Sequence, residues 1–167
     1  MRRTLLESLN SLYSTACRLT GKTDVAEDLV QETARRALKA SAALKSTRNV
    51  RGWIFSILVN AARDNIRHRE TWQNTDAENQ EPEANVDLES ISLAAAHDVR
   101  RAVLQLPPAQ RAVVVLVDIE EFTISEAAQM LEVPPGTVAS RLARARRQLR
   151  TFLLAYESGR TRKGERL

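Results

Sequence analysis

Five arginines fall in the ten residues from Arg141 to Arg150, inside a stretch, "PPGTVASRLARARRQLR", that holds no acid. Guanidinium groups at helical spacing can meet nucleic-acid phosphates, and those near the start of such a helix can reach base edges. If Val138, Leu142, Ala145 and Leu149 form the buried face, then Ser140, Ala143, Arg144 and Arg147 point away, flanked by Arg141. Ser140, Arg141 and Arg144 are placed for base edges, and Arg147 and Arg150 for phosphates. Arginines in a last turn also complement the helix dipole, so a solvated basic helix is the competing reading.

A second constellation lies in "WIFSILVNAARDNIRHR". At 100° per residue, Ile54, Ile57, Leu58, Ala61 and Ala62 share one side. Ser56, Asn60, Arg63, Asp64 and Arg67 gather around Trp53 on the other. An aromatic ring beside amide and cationic groups is how single-stranded bases are held: rings stack, charges meet phosphates, the amide reads an edge. The competing reading is a tryptophan capping the end of its bundle. A third group, Asp24, Glu27, Asp28 and Glu32, crowds the first half of one helix. The macrodipole accounts for Asp24 and Glu27 but not for Glu32, two turns in.

Catalytic groupings are missing from the sequence. It has no nucleophile–base pair, no metal-ligand spacing and no phosphate loop, so the expectation is no enzyme, no metal and no cofactor. The one cysteine, Cys17, falls on an apolar helical face and reads as a buried inert thiol. His68 and His97 read as surface residues. No apolar run approaches the ~18 residues of a membrane span, and the opening residues lack a leader pattern, which implies a cytoplasmic protein.

The elements that must position these groups read as all-α. Hydrophobic content is 43%, aromatics only 4%, and Gly and Pro number five each. Charge divides the 167 residues. Residues 1–72 hold thirteen bases and seven acids, residues 73–90 six acids and no base, and residues 91–167 twelve bases and eight acids. The predicted organisation is a helical domain over 1–72, a flexible acidic linker over 73–90, a second helical domain over 91–155 and a disordered basic tail over 156–167. Stretched at ~3.3 Å per residue, the linker would reach roughly 60 Å, beyond the ~34 Å of one duplex turn.

Leu5, Leu9, Leu12, Ala16 and Leu19 predict a first helix, ended by Thr20-Gly21-Lys22. Asp24 with Glu27 opens a second, striped by Ala26, Leu29, Val30, Thr33 and Ala37. The third holds Trp53. In the second half, a helix over Ile91–Gln105 stops at Pro107-Pro108, and an apolar helix runs from Ala109 to about Val117. "DIEEF" reads as a loop. Thr123 or Ser125 caps a short helix, "EVPP" is a tight turn, and Pro135 suits the first turn of the last helix. The pair separated by that turn is a helix-turn-helix pattern.

"AEDLVQET", "RGWIFSILVNAARDNIRHR" and "LPPAQRAVVVLVDIEEFTISEAAQMLEVPPGTVASRLARARRQLR" together resemble a bacterial ECF-type (extracytoplasmic-function) RNA polymerase sigma factor. The resemblance spans nearly all of residues 5–152 and implies two small helical domains, region 2-like and region 4-like, around the acidic linker. It implies an alternative sigma factor that binds core RNA polymerase, directs it to promoter DNA and helps open it. Asp28, Leu29, Gln31 and Glu32 would dock on the beta-prime clamp, and the second domain would approach the beta flap. Lys45, Ser46, Thr47, Arg48, Asn49, Trp53, Asn60, Arg63, Asp64 and Arg67 would open the minus-ten element and capture an unpaired base. Thr137, Ser140, Arg141, Arg144 and Arg147 would read the minus-thirty-five element. The linker would thread the polymerase's basic channels. An anti-sigma factor, often membrane-anchored in this family, is an implied partner, and the free chain is expected to be monomeric.

Four positions depart from the family pattern. Ala34 and Leu38 stand where larger aromatics are common, Ala139 replaces a usual basic residue after "GTV", and Glu132 replaces a turn glycine. Either a glutamate takes positive φ there, at a cost on the order of 1 kcal/mol, or the turn differs. Two other readings compete: a stand-alone helix-turn-helix regulator, and a sigma mimic that titrates an anti-sigma factor.

Overall fold

The computed structural model describes the backbone of residues 2–40, 49–73 and 90–164, and the side chains of residues 3–40, 49–66 and 96–155. Among these residues there is no strand. Seven α-helices follow in order: α1 (Arg2–Thr20), α2 (Thr23–Ala40), α3 (Val50–Gln73), α4 (Ser90–Gln105), α5 (Pro108–Val114), α6 (Ile124–Leu131) and α7 (Pro135–Gly164). A π-helical turn, Val115–Ile119, continues α5.

The first three helices pack on one another along the stripes the sequence sets out. α1 buries Leu5, Leu12, Ala16 and Leu19, and α2 buries Ala26, Leu29, Thr33 and Ala37. α3 buries Ile54, Phe55, Leu58, Val59, Ala61 and Ala62. Gly21 ends α1 with φ +74, and its N–H donates to the Cys17 carbonyl at 2.9 Å. That left-handed C-terminal geometry is the one glycine adopts without a Cβ penalty.

The second half is a helix-turn-helix extended at both ends. Thr123 caps α6 through a full capping box: its hydroxyl accepts from the Glu126 N–H, and the Glu126 carboxylate accepts from the Thr123 N–H at 2.9 Å. Glu132 closes α6 at φ 55, ψ 44, so a glutamate does occupy the left-handed position. α7 then presents Val138, Leu142 and Ala145 to the core. It continues helically to Gly164, through most of the segment expected as a tail, where side chains beyond Ala155 are outside the described residues.

"DIEEF" departs from the loop reading. Asp118 and Ile119 complete the π-turn, and Glu120, its C-cap, is only 7% exposed. The Glu120 N–H donates to Val115 O at 2.9 Å, a five-residue step that shifts the register just where the chain leaves α5.

The two halves also share one hydrophobic core. The buried cluster runs without a break from Leu5 and Leu12 through Phe55 and Phe122 to Val138 and Leu142. Phe55 of α3 and Phe122, just ahead of α6, meet edge to face with centroids 5.1 Å apart.

Candidate nucleic-acid and partner interfaces

α7 begins at Pro135, and its first two turns are set by burial of Val138 and Leu142. This leaves Ser140, Ala143, Arg144 and Arg147 exposed, with Thr137 and Arg141 half-buried. The Ser140 hydroxyl donates to the Thr137 carbonyl at 3.0 Å. Arg146, which the spacing did not single out, makes a bidentate pair with Asp118 at 2.5 and 3.1 Å. That pair ties α7 to the π-turn and holds the Arg146 pKa above its ordinary value. Arg144 and Arg147 are thus presented from the face of α7 that points away from its core contacts and from the Arg146–Asp118 pair.

On α3, Asn49 occupies the capping position. Its Oδ1 accepts from the Gly52 N–H at 2.7 Å. Trp53 is half-buried against the core rather than standing free on the polar stripe. Asn60 is half-buried, and its Oδ1 has no hydrogen-bond partner; Asp64 is exposed. Arg63 reaches the other half of the protein. It donates to the Leu131 carbonyl at 3.4 Å and lies 3.6 Å from the Glu132 carboxylate. Lys45, Ser46, Thr47 and Arg48 lie outside the described residues, as does the Arg67 side chain.

On α2, Asp28 and Gln31 are exposed and Glu32 is half-exposed. Glu32 accepts from Arg35 at 2.7 and 2.8 Å and from Arg36 at 2.5 Å. Those two guanidinium partners pull its pKa down to about 2. Leu29 must be corrected: at 6% exposure it belongs to the core stripe and has no surface with which to meet a partner. Its place in the motif reflects packing, while Asp28 and Gln31 form the accessible part.

Two groups that the sequence did not reveal tie the halves together. The first is Glu120. Its carboxylate accepts from Ser11 at 2.5 Å, from Thr15 at 2.6 Å and from Arg51 at 2.8 Å. Arg51 also donates to the Glu120 carbonyl at 3.1 Å, and its guanidinium lies 4.8 Å from the Phe55 centroid and 4.3 Å from that of Phe122. The second is Arg111. It donates to Leu104 O at 2.6 Å, Leu19 O at 2.7 Å and Leu106 O at 3.0 Å. These acceptors lie at the C-terminal ends of α1 and α4, where helix dipoles favour a cation. Burial lowers the Arg111 pKa, but arginine stays protonated in any ordinary medium. A groove of about 300 Å³ lies beside these contacts between the halves, with Leu19, Ala62, Arg63, Ala112, Leu131 and Arg141 on its walls.

A three-helix unit with a polar stripe on its third helix, followed by a helix-turn-helix with an arginine face, defines a two-part sigma-70-type protein. Residues 5–71 match the model of Sigma-70 region 2, and residues 96–149 that of Sigma-70, region 4. The chain belongs to the ECF RNA polymerase sigma factors, and its function is that of an alternative sigma factor. It is 35% identical to the ECF RNA polymerase sigma factor SigM of Mycobacterium tuberculosis over 143 residues, covering 85% of this chain and 71% of that one. It is 33% identical over 157 residues to EcfG of Rhodopseudomonas palustris, covering 92% and 84%. Among solved structures it is similar to the sigma factor RpoE in complex with the anti-sigma factor NepR from Bartonella quintana. That match has TM-score 0.79 and 28% identity, and covers 91% of this chain and 95% of the other. CnrH in complex with the cytosolic domain of CnrY is similar at TM-score 0.67 and 25% identity, covering 92% and 86%. These relatives are transcription factors, not known enzymes. No helix among the described residues is long and apolar enough to cross a membrane.

Proposed function

We propose that the chain binds core RNA polymerase through the exposed stripe of α2, with Asp28, Gln31 and Glu32 as the contacting groups against the beta-prime clamp. The domain organisation follows the charge boundaries: 1–72 for polymerase binding and minus-ten melting, 73–90 as linker, and 91–155 for minus-thirty-five recognition near the beta flap. Asn49, Trp53, Asn60, Arg63, Asp64 and Arg67, with Lys45, Ser46, Thr47 and Arg48, take the opened minus-ten strand. Thr137, Ser140, Arg141, Arg144 and Arg147 read the minus-thirty-five duplex. The chain works in the cytoplasm, as a monomer when free, and is restrained by an anti-sigma factor of the kind seen with its structural relatives. It needs no cofactor.

The observation that carries this reading is the α6–α7 pair, its register fixed by the Thr123 capping box and the left-handed Glu132, with Ser140, Arg144 and Arg147 turned to solvent. N-terminal residues of a recognition helix are those that contact base edges. The test is in vitro transcription with core polymerase and a library of promoter fragments. Promoter-specific transcripts that depend on the chain support the reading. Tight sequence-specific duplex binding without polymerase, and no transcript with it, would make the protein a stand-alone regulator. Binding to an anti-sigma factor, with neither of those activities, would make it a titrating mimic.

A further inference from the structure

The groove between the halves combines apolar walls with two cations. Helices α3 and α5 supply Val59, Ala62, Ile66 and Ala112, and Leu131 and Val133 stand at the end of α6. Among the described residues that line it, the only charged side chains are Arg63 and Arg141, and none is an acid. The protein matches those two guanidiniums poorly. Arg63 meets the Leu131 carbonyl at 3.4 Å and the exposed Glu132 carboxylate at 3.6 Å, both long, and its Nε is buried without a partner. Arg141 is half-buried, yet no acid or carbonyl among the described residues pairs with it. It stands apart from the exposed Arg144 and Arg147 because it lies on the flank of α7, beside the buried face. A cation drawn partly out of water without a counter-charge is costly, and an anion relieves that cost.

Size narrows the choice of anion. The groove holds about 300 Å³, room for about ten non-hydrogen atoms at ~30 Å³ each. One turn of a peptide helix, ~10 Å across and ~5.4 Å high, already exceeds that volume. A nucleotide's base and sugar would find no hydrogen-bonding side chain on the walls besides the two arginines.

We propose that the groove is a binding site for a small apolar monocarboxylate, an alkyl acid of about eight carbons, with its tail along Val59, Ile66 and Ala112 and its carboxylate on Arg63 and Arg141. Apolar walls with a few placed polar groups are the usual make-up of a small-ligand site. Arg141 also belongs to the set proposed for the minus-thirty-five duplex, so a bound acid and promoter DNA compete for it. That consequence rests on the sigma reading; the site itself does not.

The test is nitrogen-15 NMR of the full chain titrated with octanoate below its micelle concentration. Saturable shifts are expected at the Ala62, Ala109, Ala112 and Val133 amides, with little response to acetate or 1-octanol, which carry the head or the tail alone. Arg141→Gln should weaken octanoate binding about 10-fold, through loss of a charge-assisted hydrogen bond. Ala109→Phe puts a ring into the groove from an exposed position and should abolish the shifts with helicity unchanged. No saturable shift in the parent overturns the site. Equal affinity for 1-octanol, or undiminished octanoate binding by both variants, overturns it as well, leaving only unspecific apolar contact.

In transcription with core polymerase, octanoate should lower the parent's yield severalfold and leave that of Ala109→Phe unchanged. Equal inhibition of both would overturn the competition for Arg141. Absence of any transcript, with or without octanoate, would sink the sigma reading and leave the NMR result standing.

Discussion

Arg111→Met offers the sharpest check on how the two halves are joined. The side chain keeps an apolar stem of similar reach but loses every donor. Three carbonyls, those of Leu19, Leu104 and Leu106, then lose a charged partner now 2.6 to 3.0 Å away. A hydrogen bond to a charged group contributes about 1.5–3 kcal/mol. Relief from partly burying a cation offsets much of that sum. The last-turn carbonyls also lose a dipole partner, and only some can turn to water, since they lie at the seam. A net loss of about 2–4 kcal/mol follows. At ~2–4 °C per kcal/mol for a chain of this size, the midpoint should fall by roughly 5–15 °C. Arg111→Lys should lose most of this as well, because an ammonium cannot fork to three acceptors. The assay is urea and thermal unfolding followed by far-ultraviolet circular dichroism. A loss of less than about 0.5 kcal/mol for Arg111→Met would show that water replaces the guanidinium at little cost, and that Arg111 does not hold α1 to α4.

Asp28→Arg with Glu32→Arg should abolish pull-down of core polymerase while leaving helicity nearly unchanged; undiminished binding would remove α2 from the polymerase contact. Asn60→Ala should impair promoter melting more than recruitment, seen as lost permanganate reactivity with closed-complex binding retained, and a pre-melted bubble should restore activity in part. A stacked base or a base-edge contact is worth roughly 1–3 kcal/mol, and it becomes available only once a base leaves the duplex. Trp53→Ala should show the same defect together with a lowered midpoint, because the ring is half-buried against the core; Arg144→Ala should weaken recruitment, and a bubble should not rescue it to the same degree. The Glu32 carboxyl, titrated by carbon-13 NMR, should have its midpoint at about 2, below the usual carboxylate range of ~4. Because its pKa is lowered on folding, the stabilisation from Arg35 and Arg36 is present above that range and lost as pH falls through about 2; a midpoint near 4 would show that the pairs do not persist in solution.

Local physics was legible in the sequence. The stripes of α1 to α3, the Thr123 cap and Pro135 at the start of α7 all follow from neighbours within a few residues, whereas the left-handed Glu132 was raised only by the family's glycine at that turn. Leu29 shows the limit of a motif: its own stripe already placed it inward, yet membership of "DLVQE" suggested a surface. Glu120 was beyond reach for another reason. Its partners Ser11 and Thr15 stand 109 and 105 positions away, and nothing within "DIEEF" marks which of its acids is buried. Arg51 and Arg111 looked like two more bases in basic segments, because a guanidinium on a carbonyl and one in water are written alike. The packing of the two halves on each other lay in those long-range pairs, so the sequence patterns spoke to each half and not to their seam.

The π-turn over Val115–Ile119 gives this segment an unusual grammar. A helix that takes five residues to return an N–H to a carbonyl holds, in effect, one residue more than the α-helix it extends. Deleting a single residue here would mend the spiral, yet it would turn everything after it by about 100° relative to α5. Asp118 and Glu120 would swing away from Arg146 and Arg51 with no change in the chemistry of any side chain. Valine, leucine and isoleucine at these positions can trade places at small cost, since volume is nearly kept. The count of residues cannot change so cheaply, and within this stretch the protein is specified by spacing more than by spelling.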